Sequence, residues 1–82
     1  MKIYNFHSDP GHGWLEVPLD EVKHIASKIT GYSYIRGDNV YLEEDCDAGL
    51  FLDSLQTGTF KINNVYTDND SPIRNYRHYQ VA

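Results

Sequence analysis

The chain has 82 residues, 40% of them hydrophobic and 23% charged, which excludes a disordered tail, a collagen or a coiled coil. One domain over 1–82 is expected, because a chain this short buries only about 60–65% of its extended surface, and any enzyme built on a large sheet is excluded. Twelve acids against seven bases leave −5, which argues against non-specific binding to nucleic acid or to anionic membrane.

Lys2 to His7 alternates, with the β-formers Ile3, Tyr4 and Phe6, and predicts a first strand. Ser8-Asp9-Pro10-Gly11-His12-Gly13 is turn chemistry, and Trp14 to Val17 is a second strand antiparallel to the first. Pro18 suits a helix start. Leu19, Val22, Ile25 and Ala26 then mark one helical face, with Asp20, Glu21 and Lys23 opposite and Gly31 as the stop. Tyr32–Arg36 and Val40–Glu43 flank Gly37-Asp38-Asn39 as a hairpin. Asp45 is an N-cap candidate for a second helix carrying Ala48, Phe51, Leu52 and Leu55, closed by Gly58. Thr59–Tyr66 reads as a strand. Residues 72–82 form an irregular or edge segment, either mobile or docked on the body. The fold class expected is α+β: a small antiparallel sheet in the order β-β-α-β-β-α-β, with two helices packed on one face.

Charge is unevenly spread. Six acids and no base lie between Gly37 and Phe60, whereas Pro72 onward holds Arg74 and Arg77 and no acid. The tail therefore docks on the acidic segment, or each faces a partner. A lone cysteine, Cys46, excludes an intramolecular disulfide, and a secreted domain this small would want such staples. No signal peptide and no membrane-length apolar run is visible, so a cytoplasmic setting is expected.

His7, Asp9 and His12 surround one turn with zinc-type ligands. Asp9-Pro10-Gly11-His12-Gly13 also resembles the zinc-binding start of the N-acetylmuramoyl-L-alanine amidases. That likeness is rejected: it covers five residues, departs at Trp14, and sits in a chain about half the length such a domain needs. The other reading is a turn built by Asp9 and Pro10, and no cofactor is expected. Arg36-Gly37-Asp38 is a hairpin tip before it is an adhesive tripeptide.

Glu43-Glu44-Asp45-Cys46-Asp47 lacks the spacing of a calcium loop and the separation of a glycosidase pair. Asp45 and Asp47 suit a helix start; Glu43, Glu44 and Asp47 supply an acidic contact surface. Cys46, beside a helix N-terminus, is a candidate for a lowered pKa but has no visible His/Asn partners. Arg74, Tyr76 and Arg77 mix bases with rings as single-strand binders do, yet two arginines are few for that task. Tyr32, Tyr34 and Tyr41 lie in the second hairpin. Tyr41 alternates with Val40 and Leu42 and should face away from them. With Trp14, they are candidate interface anchors.

Taken together, the runs His7–Val17, Tyr32-Ser33-Tyr34, Tyr41–Ala48 and Ile73–Tyr76 resemble a group of small proteins carried by bacteriophages, prophages and plasmids. The resemblance covers most of the chain and brings no activity with it. It implies a setting: an accessory protein that binds and blunts a host system, anti-CRISPR-like or otherwise anti-defence. The expectation is a binding protein rather than an enzyme. It would dock on a basic surface of a host or phage protein through Glu43, Glu44, Asp47, Trp14, Tyr34 and Tyr41. The alternatives are a small metal-dependent hydrolytic activity at His7, Asp9 and His12, or a nucleic-acid contact through Arg74, Tyr76 and Arg77. A homodimer formed by pairing edge strands is left open by the sequence.

Overall fold

The computed structural model describes residues 2–55 and 58–80, so the last two residues of the expected C-terminal segment lie outside the described residues. Lys2–Ser8 (β1) and Gly13–Pro18 (β2) form the first hairpin, with Phe6 opposite Leu15 and Ser8 opposite Gly13. The turn requires glycine at 13, because a Cβ there would lie 2.4 Å from Phe6 Cζ. Tyr34–Arg36 (β3) and Asn39–Glu43 (β4) form the second hairpin around Gly37, whose φ of +59° a side chain would resist. β4 then pairs antiparallel with β2, placing Leu42 opposite Leu15.

Two later strands complete the sheet. Phe60–Tyr66 (β5) lies beside β1, and Arg77–His78 (β6) lies beside β3. The order is β5-β1-β2-β4-β3-β6. The molecule is α+β, but its sheet is mixed, not wholly antiparallel, because β5 runs parallel to β1. The preceding helix sets this direction. Its Phe51 ring meets Tyr4 edge-on at 5.5 Å, and the chain re-enters the sheet with Phe60 beside Lys2.

The helices correct the expected order. Asp47–Asp53 (α1) is the one α-helix among the described residues. Residues expected as the first helix form two 3-10 segments, Leu19–Glu21 and Lys23–Lys28. Their bonds run from Val22 N to Leu19 O and from Ile25 N to Val22 O. Leu19, Val22 and Ile25 recur every three residues, which is the 3-10 period and not the 3.6 of an α-helix. α1 also starts later than Asp45. Cys46 is its N-cap residue and makes no side-chain capping bond, a thiol being a weak acceptor, while Glu43 receives the amides of Asp45 and Cys46 just before the helix.

Alternation along the strands makes two cores. Leu15, Val17, Val40 and Leu42 face α1 and the 3-10 segments, meeting Ala48, Phe51, Val22 and Ile25. Trp14 and Tyr41 point the other way, where Ile73, Tyr34 and Tyr76 join them. Tyr41 thus lies opposite its neighbours, as the alternation predicted. A third 3-10 segment, Pro72–Asn75, covers this second face at β2, β4 and β3, so the sheet is packed on both sides there and left open at β1 and β5. Its start is fixed by the Ser71 side chain, which accepts from Ile73 N, and by Pro72 in the first turn. No helix among the described residues is long and apolar enough to cross a membrane.

Candidate functional site

The second face is held shut by one buried carboxylate. Asp9 lies at the end of the first hairpin, with its side chain fully buried. Its Oδ1 accepts from the amides of Gly11 and His12, both at 3.0 Å. Its Oδ2 accepts from Ser71 N at 2.8 Å. Arg74 adds two charge-assisted bonds, Nε to Oδ2 at 2.6 Å and Nη2 to Oδ1 at 2.8 Å. The Arg74 guanidinium first, and then the Ser71 amide, hold the Asp9 carboxyl far below its ordinary range; burial opposes them and loses. The same contact raises the Arg74 pKa. Arg74 thus lies over the Trp14 ring, 5.4 Å from its centroid, and the C-terminal segment is docked on the turn, not on the acidic run.

Beside this clasp opens a cleft of about 330 Å³. Trp14 from β2 and Tyr34 from β3 give it aromatic walls, their rings meeting edge-on at 6.2 Å. His78 from β6 stacks on Tyr34 at 4.6 Å, and Tyr32 stands at the mouth, 68% exposed. Glu43 at the end of β4, Asp45 and Cys46 from the turn before α1, and His12 and Arg74 from the clasp complete the lining. The cleft therefore joins rings to carboxylates.

The expected contact residues divide. Tyr34 and Glu43 line the cleft, and Glu44 is exposed in the next position of the chain. Trp14 also lines it but corrects the expectation of an exposed anchor, because it is 2% exposed, packed with Tyr41 and Ile73 and covered by the Arg74 guanidinium. Glu43 is mostly buried, and its carboxylate receives Asp45 N and Cys46 N at 3.0 and 3.1 Å, so it shapes the turn as well as charging it. Tyr41 is buried against Tyr76, ring centroids 5.1 Å apart, and lies outside the cleft lining. Burial, with the charge of Glu16 behind it, pushes its phenol up. Asp47 corrects the expectation of a surface acid. It is 1% exposed, and its Oδ2 accepts from Thr30 N, Thr30 Oγ1 and Ser33 Oγ at 3.0, 2.8 and 2.5 Å. It ties α1 to the loop before β3 and presents nothing outward. Asp45 and His78 join the site without having been singled out for it, and Tyr32, named among the rings of the second hairpin but not among the contact residues, joins them. The pairing of Tyr34 with His78 depends on a two-residue strand, too short to leave a periodic signal.

His7, Asp9 and His12 are not brought together. His7 Nε2 pairs with Glu16 Oε1 at 2.7 Å, Asp9 is committed to Arg74, and His12 packs near the Trp14 ring. Among the described residues no three His, Cys, Asp or Glu side chains are placed to hold a metal ion. Cys46 is also corrected. Desolvation, and then the Glu43, Asp47 and Asp45 charges, push its thiol up, not down. His24 Nε2 lies 2.9 Å from Ser54 Oγ, but Ser54 donates its proton to Phe51 O at 2.6 Å. The imidazole is then the donor in this pair and is not poised as the hydroxyl's base.

Arg74, Tyr76 and Arg77 also separate. Arg74 is spent on Asp9, and Tyr76 lies under the Arg36 guanidinium at 4.9 Å. Arg36, Tyr76 and Arg77 line a second, shallower trough of about 680 Å³.

Comparison with protein-family models, with curated proteins and with solved structures returned no match.

Proposed function

We propose that this protein is a binding module that docks on a basic protein surface, taking a Lys or Arg side chain of its partner into the cleft between Tyr32, Tyr34 and Asp45. One observation carries the reading: the cleft sets the Tyr34 ring, with the exposed Tyr32 at its mouth, beside the exposed Asp45. A guanidinium stacks on an aromatic face and pairs with a carboxylate in the same site. Arg74 does not cancel this preference, because its own charge is already matched by Asp9. Glu44 extends the acidic rim. Buried rings with a charged border are the usual make-up of an interface hot spot. The resemblance to small proteins of mobile elements adds the setting: a phage or plasmid accessory factor that occludes the basic groove of a host defence protein, in the manner of an anti-CRISPR inhibitor.

Amide chemical-shift mapping with a short arginine peptide tests the cleft directly. Saturable shifts at Tyr32, Tyr34 and Asp45, weakened by salt and lost in Asp45→Lys, are expected. Shifts spread over the whole acidic surface, or shifts that survive Asp45→Lys, count against the site. A pull-down from a bacterial lysate then identifies the target. The protein captured must be released by salt and must fail to bind Asp45→Lys and Glu44→Lys.

A second reading rests on the trough of Arg36, Tyr76 and Arg77, where the Arg36 guanidinium lies over the Tyr76 ring and Arg77 shares the lining, a mix of bases and rings used in single-strand nucleic-acid grooves. A gel shift at two salt concentrations separates it from the first; no shift at low salt removes it.

A further inference from the structure

The two edges of the sheet are unlike. β6 is two residues long and carries Arg77 and His78, a short charged edge of the kind that discourages pairing. β5 is seven residues long, unbroken by proline, and Lys61 is its one charge. Six large apolar side chains are exposed among the described residues, and four of them, Ile3, Ile62, Val65 and Tyr66, lie on β1 and β5. The apolar exposure of the molecule is thus concentrated at one edge.

The backbone of that edge is open in a regular way. Lys2 N donates to Thr59 O, and Thr67 N donates to Ser8 O. In a parallel ladder this turns both polar groups of the odd-numbered residues toward β1. Phe60, Ile62, Asn64 and Tyr66 therefore turn their N–H and C=O groups outward. These four are symmetric about Asn63. On the face away from α1, Asn63 Nδ2 donates to Asn5 Oδ1 at 3.0 Å, which leaves Asn63 its own carbonyl oxygen and a second N–H.

We propose that β5 pairs antiparallel with β5 of a second copy, about a two-fold axis through Asn63. Phe60 then lies opposite Tyr66 and Ile62 opposite Asn64, each pair exchanging both backbone bonds. Lys61 lies opposite Val65, so like charges do not meet. The two Asn63 side chains face each other on the axis and extend the Asn5–Asn63 pair into a ladder of four amides. Hydrogen-bonded side-chain pairs across adjacent strands stabilise the pairing that brings them together, which favours this register. A one-residue slip would turn inward-bonded amides to the partner and break the ladder. The contact is isologous and closes at two copies. It joins the sheets edge to edge, six strands from each copy, and leaves both clefts free at the outer ends.

Sedimentation velocity over a concentration series, with the full chain, tests this. The wild type is expected to reach twice the monomer mass. Asn64→Pro removes an outward N–H that the monomer does not use, so the variant should keep its circular dichroism and remain a monomer. Asn63→Asp sets two carboxylates on the axis and should weaken the dimer at low salt, with recovery at high salt. If the wild type stays monomeric at every concentration, the proposal is wrong, and the edge is left for an extended segment of another protein. A dimer that persists unchanged in both folded variants overturns it equally, by placing the interface elsewhere.

Discussion

Arg74 grips Asp9 across 65 positions of sequence with two hydrogen bonds, and this contact fastens the C-terminal segment over the second face of the sheet. Its loss should release that segment. In Asp9→Asn the charge is removed at nearly constant shape, so the amides of Ser71 and Ile73 are expected to exchange faster than in the wild type while α1 keeps its protection. Arg74→Lys should not restore them, since an ammonium cannot supply the two-pronged contact. Equal protection in all three proteins would show that Ile73 packing alone holds the segment.

Acid should attack the same clasp. The folded Asp9 carboxyl is depressed below its ordinary 3.8. A depressed carboxyl contributes stability that is complete above the unfolded value and is lost as pH falls toward the folded one. Melting temperature should therefore fall below about pH 4, and the slope should be shallower in Asp9→Asn. Identical slopes would remove Asp9 from the account.

Alkali should act at the other end of β1. Burial first, and then the hydrogen bond to Glu21 Oε1, push the Tyr4 phenol up to about 12. A raised pKa contributes stability present below the ordinary 10.0 and lost as pH climbs through the folded value. Tyr4 and Tyr41 should therefore ionise later than the other tyrosines by phenolate absorbance, and Tyr4→Phe should remove one tyrosine's share of that late step while Tyr41 keeps its own. If every phenol ionised together in the folded protein, the Tyr4–Glu21 bond would be absent in solution.

Two apolar substitutions separate a cavity from a clash. Phe51 is fully buried under Tyr4, and Phe51→Ala should cost about 3–5 kcal/mol. Gly13→Ala should cost about 1–3 kcal/mol by driving a methyl into Phe6. In the second case Phe6→Leu should recover part of the loss, because the obstruction is the ring itself. Denaturant melts of the two singles and the double check this, and no recovery would place the strain in the backbone.

Cys46 should be a slow thiol despite its exposure. Desolvation first, and then the acids that surround it, hold back the thiolate, and the thiolate is the nucleophile. Alkylation at neutral pH is expected to lag a free cysteine in an unstructured peptide. Neutralising Asp45 as Asp45→Asn should speed it; a rate unaffected by that change would assign the lag to desolvation.

Strands were legible where alternation was long. Lys2–Ser8, the Val40-Tyr41-Leu42 alternation and Phe60–Tyr66 all appear close to their predicted places. The 3-10 segments were hidden because Leu19, Val22, Ile25 and Ala26 satisfy a 3.6-residue template until the strict period of three is noticed. The direction of β5 was illegible because a strand's sequence does not say which neighbour it will have. For the site, Trp14, Tyr34 and Glu43 were visible as types, but Asp47 looked like a surface acid. Its acceptors' partners, Thr30 and Ser33, lie 17 and 14 residues away and give no local sign. Arg74 was read with Arg77 as a basic patch, whereas its partner lies at the far end of the chain.

The seating of β1 between β2 and β5 bears on how the molecule is made. β1 leaves the ribosome first, yet its parallel neighbour is some 58 residues downstream. Closing so large a loop must be paid before the contact rewards it, and such topologies fold slowly. During synthesis β1, β2 and α1 would hold one another loosely, with one flank of the sheet bare. Only after Arg74 has emerged can the second face close. The second face thus closes late, after five of the six strands have been made.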